Sequence, residues 1–311
     1  MNQNATNRER LVAAFGHHKC ASMWVHSICE QVCLELGLKL GCVFVEREFG
    51  GDLERYVSER KIEFLLYGNA NFEQVRRLSV ENIQGFHYVR DPRDIVVSAY
   101  FSHRNSHTTE AWPELLEYRE KLRSCSKEQG LFLELDFRSE QFEEMRSWHD
   151  NPQNISIRTY RIEDVFSNPY QAFLEIFAFL GLLDEEYYSP SNRLRFLFGK
   201  TSRKLESLLR NSVRLPRWFS AIPAERLLGI VYERDFSKMS GGRRKGQADP
   251  TSHYRSGVHG DWINHFSVEH LELFKARYGS LVLQYGYESD PDWDRKYIPI
   301  IQDRLMSSER S

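Results

Sequence analysis

A strand, a tight loop and a helix follow one another near the N-terminus, and this order constrains the fold more than any other feature. Residues 10–15 (RLVAAF) are a short apolar run, which is typical of a buried strand. Beyond the loop at residues 16–21, apolar residues recur at helical spacing and predict one buried helix face; they are Val25, Ile28, Cys29, Val32, Cys33 and Leu36. The loop is therefore expected where a buried strand ends and a helix begins.

Strands and helices continue to alternate along the chain, and residues 112–148 have apolar stripes that predict further helices. The alternation is typical of βαβ crossovers and predicts a three-layer α/β/α fold with a central parallel sheet. The later predicted strands cover residues 41–45, 62–67, 85–90 and 155–160, and the later predicted helices cover 52–60, 91–101, 170–182, 223–232 and 268–278.

The length of 311 residues and the 41% hydrophobic content fit one large α/β domain or two small ones. We expect a single domain over residues 1–311. The polar residues 1–9 are expected to be flexible, and the glycine-rich, basic residues 241–250 are expected to form a mobile loop.

Composition excludes several classes of protein. The net charge of −2 gives no indication of nucleic-acid binding. The five cysteines predict reduced thiols and a cytoplasmic protein, since no secretory segment and no apolar run of roughly 18 residues is present. Cys29 and Cys33 are four residues apart, but no second pair completes a metal site, so we expect no metal.

The loop after the first strand has the chemistry of an anion site. Lys19 and Ser22 lie where the helix begins, and the first N–H groups of a helix have no internal partner and carry partial positive charge. The Walker pattern of ATP- and GTP-binding loops is absent. A tight turn with a solvated lysine remains the alternative interpretation.

Polar residues also follow the other predicted strands. Residues 17–19, 69–71 and 90–91 end three of them, and ligands of parallel sheets bind at the carboxyl ends of strands. We expect these three ends to converge on one crevice.

Two further motifs complete a resemblance. Residues 90–98 read RDPRDIVVS, and residues 255–266 read RSGVHGDWINHF. Together with HKCASMW at residues 18–24, they resemble the PAPS-dependent sulfotransferases (PAPS is 3′-phosphoadenosine 5′-phosphosulfate). That family reads roughly PKSGTTW, R-[DN]-P-[RK]-D-x-x-x-S and RKGxxGDWxNxF. The resemblance reaches from the first strand to about Gly279 and implies the P-loop-like sulfotransferase fold.

The resemblance implies transfer of a sulfuryl group from PAPS to a hydroxyl or amine of a small-molecule or carbohydrate acceptor, which gives PAP. It implies that Lys19 pairs with the leaving phosphate, and that Trp24 and Phe236 stack on adenine. The implied cofactor-binding residues are Lys19, Cys20, Ala21, Ser22, Met23, Trp24, Arg90, Ser98, Phe236, Arg255, Ser256 and Gly257.

Within this set Arg90, Ser98 and Arg255 are implied to hold the 3′-phosphate, for which a forked guanidinium is well suited. Several positions depart from the family pattern. Cys20 and Met23 remove two hydroxyl groups, and Ser256 replaces a lysine. Arg243 and Arg244 are the candidates to replace that lost charge.

The catalytic base departs from the pattern as well. The family commonly carries K-[TS]-H after the third strand, whereas residues 67–69 read YGN, and Asn69 cannot accept a proton. His18 is our first candidate, because imidazole titrates near neutral pH. The residues that remain alternatives are His17, Glu46, Glu48, His103 and His107.

Two other functions remain open. A PAPS- or PAP-binding protein without efficient turnover would explain Asn69 and Ser256. A nucleotide kinase of related fold would need a Walker Lys-Ser/Thr pair, which the loop lacks. For assembly, residues 263–272 match the family's dimer segment K-x-x-x-T-V-x-x-x-E only in part, because Ile263 replaces the lysine. We therefore expect a monomer or a weak homodimer.

Overall fold

The apolar run near the N-terminus forms the middle strand of a sheet. The structure, a computed structural model, describes residues 10–78, 83–110, 112–148, 156–184, 220–252 and 255–309. All five residues of Leu11–Phe15 are buried, as a strand covered on both faces requires. The predicted flexibility of residues 1–9 concerns a segment outside the described residues.

Five strands form the main sheet in the order β2-β3-β1-β4-β5. β1 pairs in parallel with both β3 and β4, and β2 pairs in parallel with β3, which confirms the predicted parallel sheet. A separate short parallel pair joins β6 and β7. The strands are β1 (Leu11–Phe15), β2 (Leu40–Val43), β3 (Phe64–Tyr67), β4 (Ile83–Val89), β5 (Ser156–Arg161), β6 (Leu183–Asp184) and β7 (Ile222–Pro223).

Helices occupy most of the rest of the described chain. One π-helical turn, Ser102–Ser106, follows α4 directly, and short 3-10 turns occur at Glu46–Phe49, Asp261–Asn264 and Trp293–Lys296. The α-helices are α1 (Ser22–Leu36), α2 (Leu53–Arg60), α3 (Phe72–Arg76), α4 (Pro92–Phe101), α5 (Leu115–Ser124), α6 (Lys127–Phe137), α7 (Ser139–Ser147), α8 (Ile162–Ser167), α9 (Pro169–Phe179), α10 (Ala224–Glu233), α11 (Phe236–Met239), α12 (Val268–Gln284) and α13 (Ile298–Glu309).

Polar caps explain where several helices begin. The Asp52 side chain accepts from the N–H of Arg55 at the start of α2, and Asp91 accepts from the N–H of Arg93 at the start of α4. Ser126 and Gln129 form a complete capping box at the start of α6. Each cap satisfies a backbone donor that the helix leaves unpaired, which typically contributes about 1 kcal/mol.

The chain divides into two compact units. The first is formed by Met1–His17, Ala21–Tyr88 and Pro152–Asp235, and it contains the sheet except for the last residue of β4. Within this unit α10 packs against α1 and α9. The Arg226 guanidinium of α10 pairs with the nearly buried Glu35 carboxylate of α1 at 2.5 Å.

The second unit is formed by His18–Cys20, Val89–Asn151 and Phe236–Ser311. It contains α4 to α7 and α11 to α13. Its core includes Arg93, which is 2% exposed and pairs with the carboxylates of Asp91 and Glu288, each at 2.7 Å. The same guanidinium lies 4.4 Å from the ring centroid of Trp262, so its buried charge is both paired and packed.

Among the described residues no helix is long and apolar enough to cross a membrane. The single domain over residues 1–311 stays a prediction.

Candidate active site

The three residues His18–Cys20 form a loop of the second unit with an unusual backbone. Lys19 has a φ of +66°, and the following Ala21 has a φ of +63°, values that side-chain-bearing residues rarely adopt. Arg90, directly after β4, donates from Nη1 to the carbonyl oxygen of Lys19 at 3.2 Å. Strained backbone held by a cation is typical of a ligand-binding loop rather than of a solvated turn.

Positive charge accumulates around the Lys19 ammonium. Burial and the neighbouring charges of Arg90 and Arg138 lower the pKa of Lys19 to about 7; the Glu134 carboxylate acts in the opposite direction, and Arg255 adds a smaller lowering effect. Burial and the excess of nearby cations over the carboxylate of Glu134 both disfavour the charged ammonium in this region. Such a region favours an anionic ligand.

The second and third sequence motifs meet in this unit through Asp94. Its carboxylate oxygens accept from the N–H of Gly260 at 2.6 Å and from the N–H of Trp262 at 3.0 Å. The segment that carries Arg255 is thereby attached to the start of α4, which begins two residues after Arg90. The structure thus brings together two motifs that are some 160 residues apart.

The Arg255 guanidinium is held by a carboxylate and an aromatic ring. Its Nη2 pairs with Oδ2 of Asp261 at 2.6 Å, and its guanidinium lies 4.9 Å from the ring centroid of Phe101. Arg243 donates from Nη1 to the Arg255 carbonyl oxygen at 2.8 Å. Arg243, a candidate to replace the missing lysine charge at Ser256, therefore contacts this segment, whereas Arg244 has an exposed side chain.

The basic loop at residues 241–250 is attached to the same segment. The N–H of Gly246 donates to the carbonyl oxygen of Ser256 at 2.8 Å, and the N–H of Asp249 donates to the carbonyl oxygen of Arg255 at 2.9 Å. The predicted mobility of this loop stays a prediction.

Phe236 and Gly257 also lie together. Gly257 has a φ of +65°, and a Cβ built there would come within 2.8 Å of the Phe236 ring. Glycine at this position lets an aromatic ring lie directly on the backbone. Both residues are implied cofactor contacts, and the structure places them side by side.

The remaining implied cofactor residues vary in exposure. In the first unit, Met23 is 50% exposed, whereas Trp24 is 7% exposed and donates from Nε1 to the carbonyl oxygen of Arg234 at 2.8 Å. Ser22 donates from Oγ to the carbonyl oxygen of His17 at 3.2 Å. In the second unit, Cys20 and Ser256 are buried, and Ser98 lies half-buried in α4. The cofactor-binding roles of all these residues stay predictions.

Histidines gather beside Lys19 in the second unit. Nε2 of His18 lies 3.0 Å from Nε2 of His103, and the two rings stack with an interplanar angle of 13°. Nδ1 of His103 lies 2.7 Å from Oε1 of Glu134. The His107 ring lies 5.1 Å from that of His18.

Burial keeps these imidazoles neutral near pH 7. It lowers the pKa of His18 well below the usual histidine range, and the charge of Arg138 adds to the effect. Burial also lowers the pKa of His103 to about 4, although the Glu134 carboxylate acts in the opposite direction. A neutral His18 can accept a proton.

The other candidate bases have different surroundings. His17 lies in the first unit, with Nε2 2.9 Å from Nε2 of His87, and burial lowers its pKa to about 3. In the same unit, Glu48 accepts from the N–H of Phe44 at 2.6 Å, and Glu46 accepts from Nε2 of Gln74 at 3.4 Å. Asn69 follows β3 and is half-buried.

Three residues of this cluster were not identified from the sequence. Glu134, on α6, lies on the helix face that also buries Leu131 and Leu135. Gln141 donates from Nε2 to the carbonyl oxygen of His18 at 2.8 Å and accepts from Nη1 of Arg138 at 2.9 Å. The three residues are thus Glu134, Arg138 and Gln141. The one available sequence signal was the carboxylate of Glu134 on the apolar face of a helix, with Arg138 four residues later.

The part of the chain that the structure describes contains no group of three or more His, Cys, Asp or Glu residues arranged to hold a metal ion.

Comparison with known proteins gives structural matches only. No protein-family model matches the chain, and no curated protein matches its sequence. The crystal structure of mouse sulfotransferase SULT7A1 complexed with PAP is 16% identical, with 94% of this chain and 90% of that chain covered and a TM-score of 0.50.

Two structures of retinol dehydratase are also similar. The complex with androsterone and inactive cofactor PAP is 13% identical, with 88% and 80% covered and a TM-score of 0.44. The complex with retinol and PAP is 12% identical, with 88% and 81% covered and a TM-score of 0.43.

The match to the mouse enzyme structure establishes the fold. The chain has the sulfotransferase fold, which confirms the predicted three-layer α/β/α class with a central parallel sheet.

Proposed function

We propose that this chain is a PAPS-dependent sulfotransferase, which transfers a sulfuryl group to a hydroxyl or amine of a small-molecule or carbohydrate acceptor and releases PAP. The observation that carries the proposal is the set of cations in the second unit. Arg90 contacts the Lys19 backbone at 3.2 Å, and the charges of Arg90 and Arg255 both act on the Lys19 ammonium.

The cations have distinct proposed roles. Arg90 and Arg255, with Ser98, hold the 3′-phosphate, and Lys19 stabilises charge on the leaving 5′-phosphate. Sulfuryl transfer resembles phosphoryl transfer, because charge collects on the bridging and terminal oxygens and preorganised cations lower the barrier. Phe236, held against Gly257, offers an aromatic face for adenine.

We expect PAP to raise the melting temperature of the protein far more than AMP does. A ligand that binds only the folded state stabilises it by mass action, and AMP lacks the 3′-phosphate that Arg90 and Arg255 would hold. Differential scanning fluorimetry at equal concentrations of PAP and AMP measures the difference.

Two variants sharpen the comparison of PAP with AMP. Arg90→Ala should remove most of the difference between the two nucleotides. Arg123→Ala should retain it, because the described contacts of Arg123 are an ion pair with the exposed Glu120 on α5 and a hydrogen bond to the carbonyl oxygen of Arg104, and neither involves Arg90 or Arg255. Equal shifts with PAP and AMP in the wild type would contradict the proposed 3′-phosphate site.

PAP affinity should fall modestly as pH rises above about 7. The pKa of Lys19 is lowered to about 7, so its ammonium loses its proton through this range in the ligand-free protein. An anionic ligand raises that pKa, and binding above pH 7 therefore takes up a proton. Isothermal titration calorimetry in buffers of different ionisation enthalpy measures the PAP affinity and the number of protons taken up on binding.

Lys19→Arg is the matched control for this pH dependence, because a guanidinium stays charged over the whole range. Its PAP affinity should be nearly flat between pH 7 and 9. A wild-type affinity that is equally flat would show that Lys19 does not contact the ligand.

A PAP-binding protein without turnover is the second candidate, and Asn69 favours it because an amide cannot act as a base. Incubation with PAPS and a simple phenol separates the two functions: the sulfotransferase produces PAP and an aryl sulfate, whereas the binding protein produces neither. The cytoplasmic location and the monomeric or weakly dimeric state stay predictions.

A further inference from the structure

Three side chains of the second unit form a line of short contacts that ends at His18. Oε1 of Glu134 lies 2.7 Å from Nδ1 of His103, and Nε2 of His103 lies 3.0 Å from Nε2 of His18. We propose that Glu134 and His103 are positioning residues that hold the proton of His18 on Nε2, so that Nδ1 of His18 is the atom that accepts the proton of the sulfate acceptor. This inference rests on the proposed function.

The order of the protons follows from the donor and acceptor capacity of each group. A carboxylate only accepts, so the 2.7 Å contact with Glu134 places a proton on Nδ1 of His103. A neutral imidazole has one N–H, which leaves a lone pair on Nε2 of His103. His18 must then donate from Nε2, because two lone pairs would repel at 3.0 Å.

Neutral His18 consequently has its lone pair on Nδ1. Among the described residues, that atom has no hydrogen-bond partner; the contacts of His18 are made by Nε2 and by its carbonyl oxygen. The atom therefore has its acceptor capacity available beside Lys19, which the proposed function places next to the leaving phosphate.

His103 lies in a π-helical turn. α4 continues into the π-helical turn Ser102–Ser106, in which the N–H of His107 bonds to the carbonyl oxygen of Ser102 at 2.7 Å. Arg119 of α5 donates to the carbonyl oxygen of His103 at 2.7 Å. Such turns are rare and are frequent at functional sites.

His103, which contacts His18, and Glu134, which contacts His103, are both shielded from water. His103 and Glu134 are each 0% exposed. Burial of a carboxylate is costly unless it is paired, and the Nε of Arg138 lies 3.6 Å from Oε2 of Glu134. The titratable groups that face the two imidazoles are Lys19, His107, Tyr118, Glu134 and Arg138.

In the proposed step, Nδ1 of His18 takes the hydroxyl proton as the acceptor oxygen forms its bond to sulfur. The bond from sulfur to the 5′-phosphate oxygen breaks, and its electron pair stays on the phosphate of PAP. The Nε2 proton of His18 moves toward His103, whose imidazolium is stabilised by the Glu134 carboxylate. The proton leaves to solvent after the sulfate ester departs.

The tautomers can be measured without any substrate. Long-range ¹H–¹⁵N correlation spectra of histidine-labelled wild-type protein at pH 7, assigned with His18→Ala and His103→Asn, report which ring nitrogen carries the proton. We expect the proton on Nε2 in His18 and on Nδ1 in His103. The opposite tautomer at either residue would overturn the proposal.

Glu134→Gln supplies the kinetic test. Its amide oxygen still accepts from His103, but the negative charge is lost, and kcat should fall on the order of tenfold to a hundredfold. Protonated His103 would leave the Nε2 proton of His18 without an acceptor, so the acid limb reports the His18–His103 pair. Because the Glu134 charge raises the pKa of His103, the acid limb of the kcat profile should move to lower pH in Glu134→Gln. At about pH 6, where Lys19 stays charged, the affinity for PAP should change far less than kcat.

Glu288→Gln is the matched control, since it also neutralises a buried carboxylate but lies outside the relay and pairs with Arg93. It should lower the melting temperature and leave the acid limb in place. An acid limb that stays at its wild-type position in Glu134→Gln overturns the proposal. Absence of sulfate transfer in a wild type that shows the expected tautomers overturns the proposed function instead.

Discussion

Lys19→Ala should abolish sulfate transfer and weaken PAP binding only modestly. Lys19 is the one cation of the proposed site on the loop that follows β1, and the structure surrounds it with Arg90 and Arg255. Removal of a preorganised cation from a site of developing charge typically costs on the order of 3 kcal/mol or more in the transition state. The larger loss should appear in kcat and the smaller one in nucleotide affinity, because the two arginines remain to bind the nucleotide. Single-turnover rates and PAP titrations of the purified variant measure the two effects separately.

Lys121→Ala is the matched control for Lys19→Ala. Lys121 lies in the same unit, but its side chain is 61% exposed, and its ion pair among the described residues is with Glu117 on the same helix. Its removal should leave kcat near the wild-type value. A Lys19→Ala enzyme with near-normal kcat would show that the loop after β1 is not the site of transfer.

Local signals in the sequence predicted most of the fold. Asp52 and Asp91 begin helices in the structure as cap residues do, and the predicted buried face of α1 is buried. The start of β3 was predicted two residues early. Ile62 reads as strand because it is apolar, but its N–H bonds back to Val57 and completes the end of α2.

The C-terminal part was predicted less well. The helix that begins at Val268 was expected to end at Tyr278, before Gly279, yet it continues to Gln284. Burial of Leu281 and Val282 outweighs the unfavourable helix propensity of one glycine. Tertiary packing, which the local pattern does not contain, decided this boundary.

The residues of the candidate site also fall into those that a local sequence motif indicates and those that only tertiary contacts bring in. Lys19, Arg90 and Arg255 were predicted as site residues because their motifs have fixed spacing, and their roles stay predictions. Glu134 was not identified, since its contact with His103 joins positions 31 residues apart on separate elements. That contact depends on the π-helical turn after α4, for which the sequence offers no recognised signal.

His18→Ala should lower kcat by roughly a hundredfold or more with PAP binding intact, because general base catalysis typically contributes at least that factor. Asn69, at the position where the family carries its histidine, has no proton-accepting nitrogen. His18 lies directly before Lys19, and burial with the charge of Arg138 lowers the pKa of its imidazole well below the usual range. The wild-type acid limb should therefore lie below the pH at which an exposed histidine titrates, and it should be absent in His18→Ala. The pH dependence of kcat for both enzymes measures this.

Comparison with His107→Ala identifies the base among neighbouring imidazoles. The His107 ring lies 5.1 Å from that of His18, so replacing it perturbs the same cluster to a similar degree. If His18 is the base, His107→Ala keeps the acid limb, and the limb shifts slightly to higher pH, because a neighbouring positive charge that lowers the pKa of His18 has been removed. An acid limb that persists in His18→Ala and disappears in His107→Ala would assign the proton transfer to His107. An acid limb that persists in both variants would move the search to Glu46 and Glu48 of the first unit, and Asn69→His would then test whether the family's usual position can restore the rate.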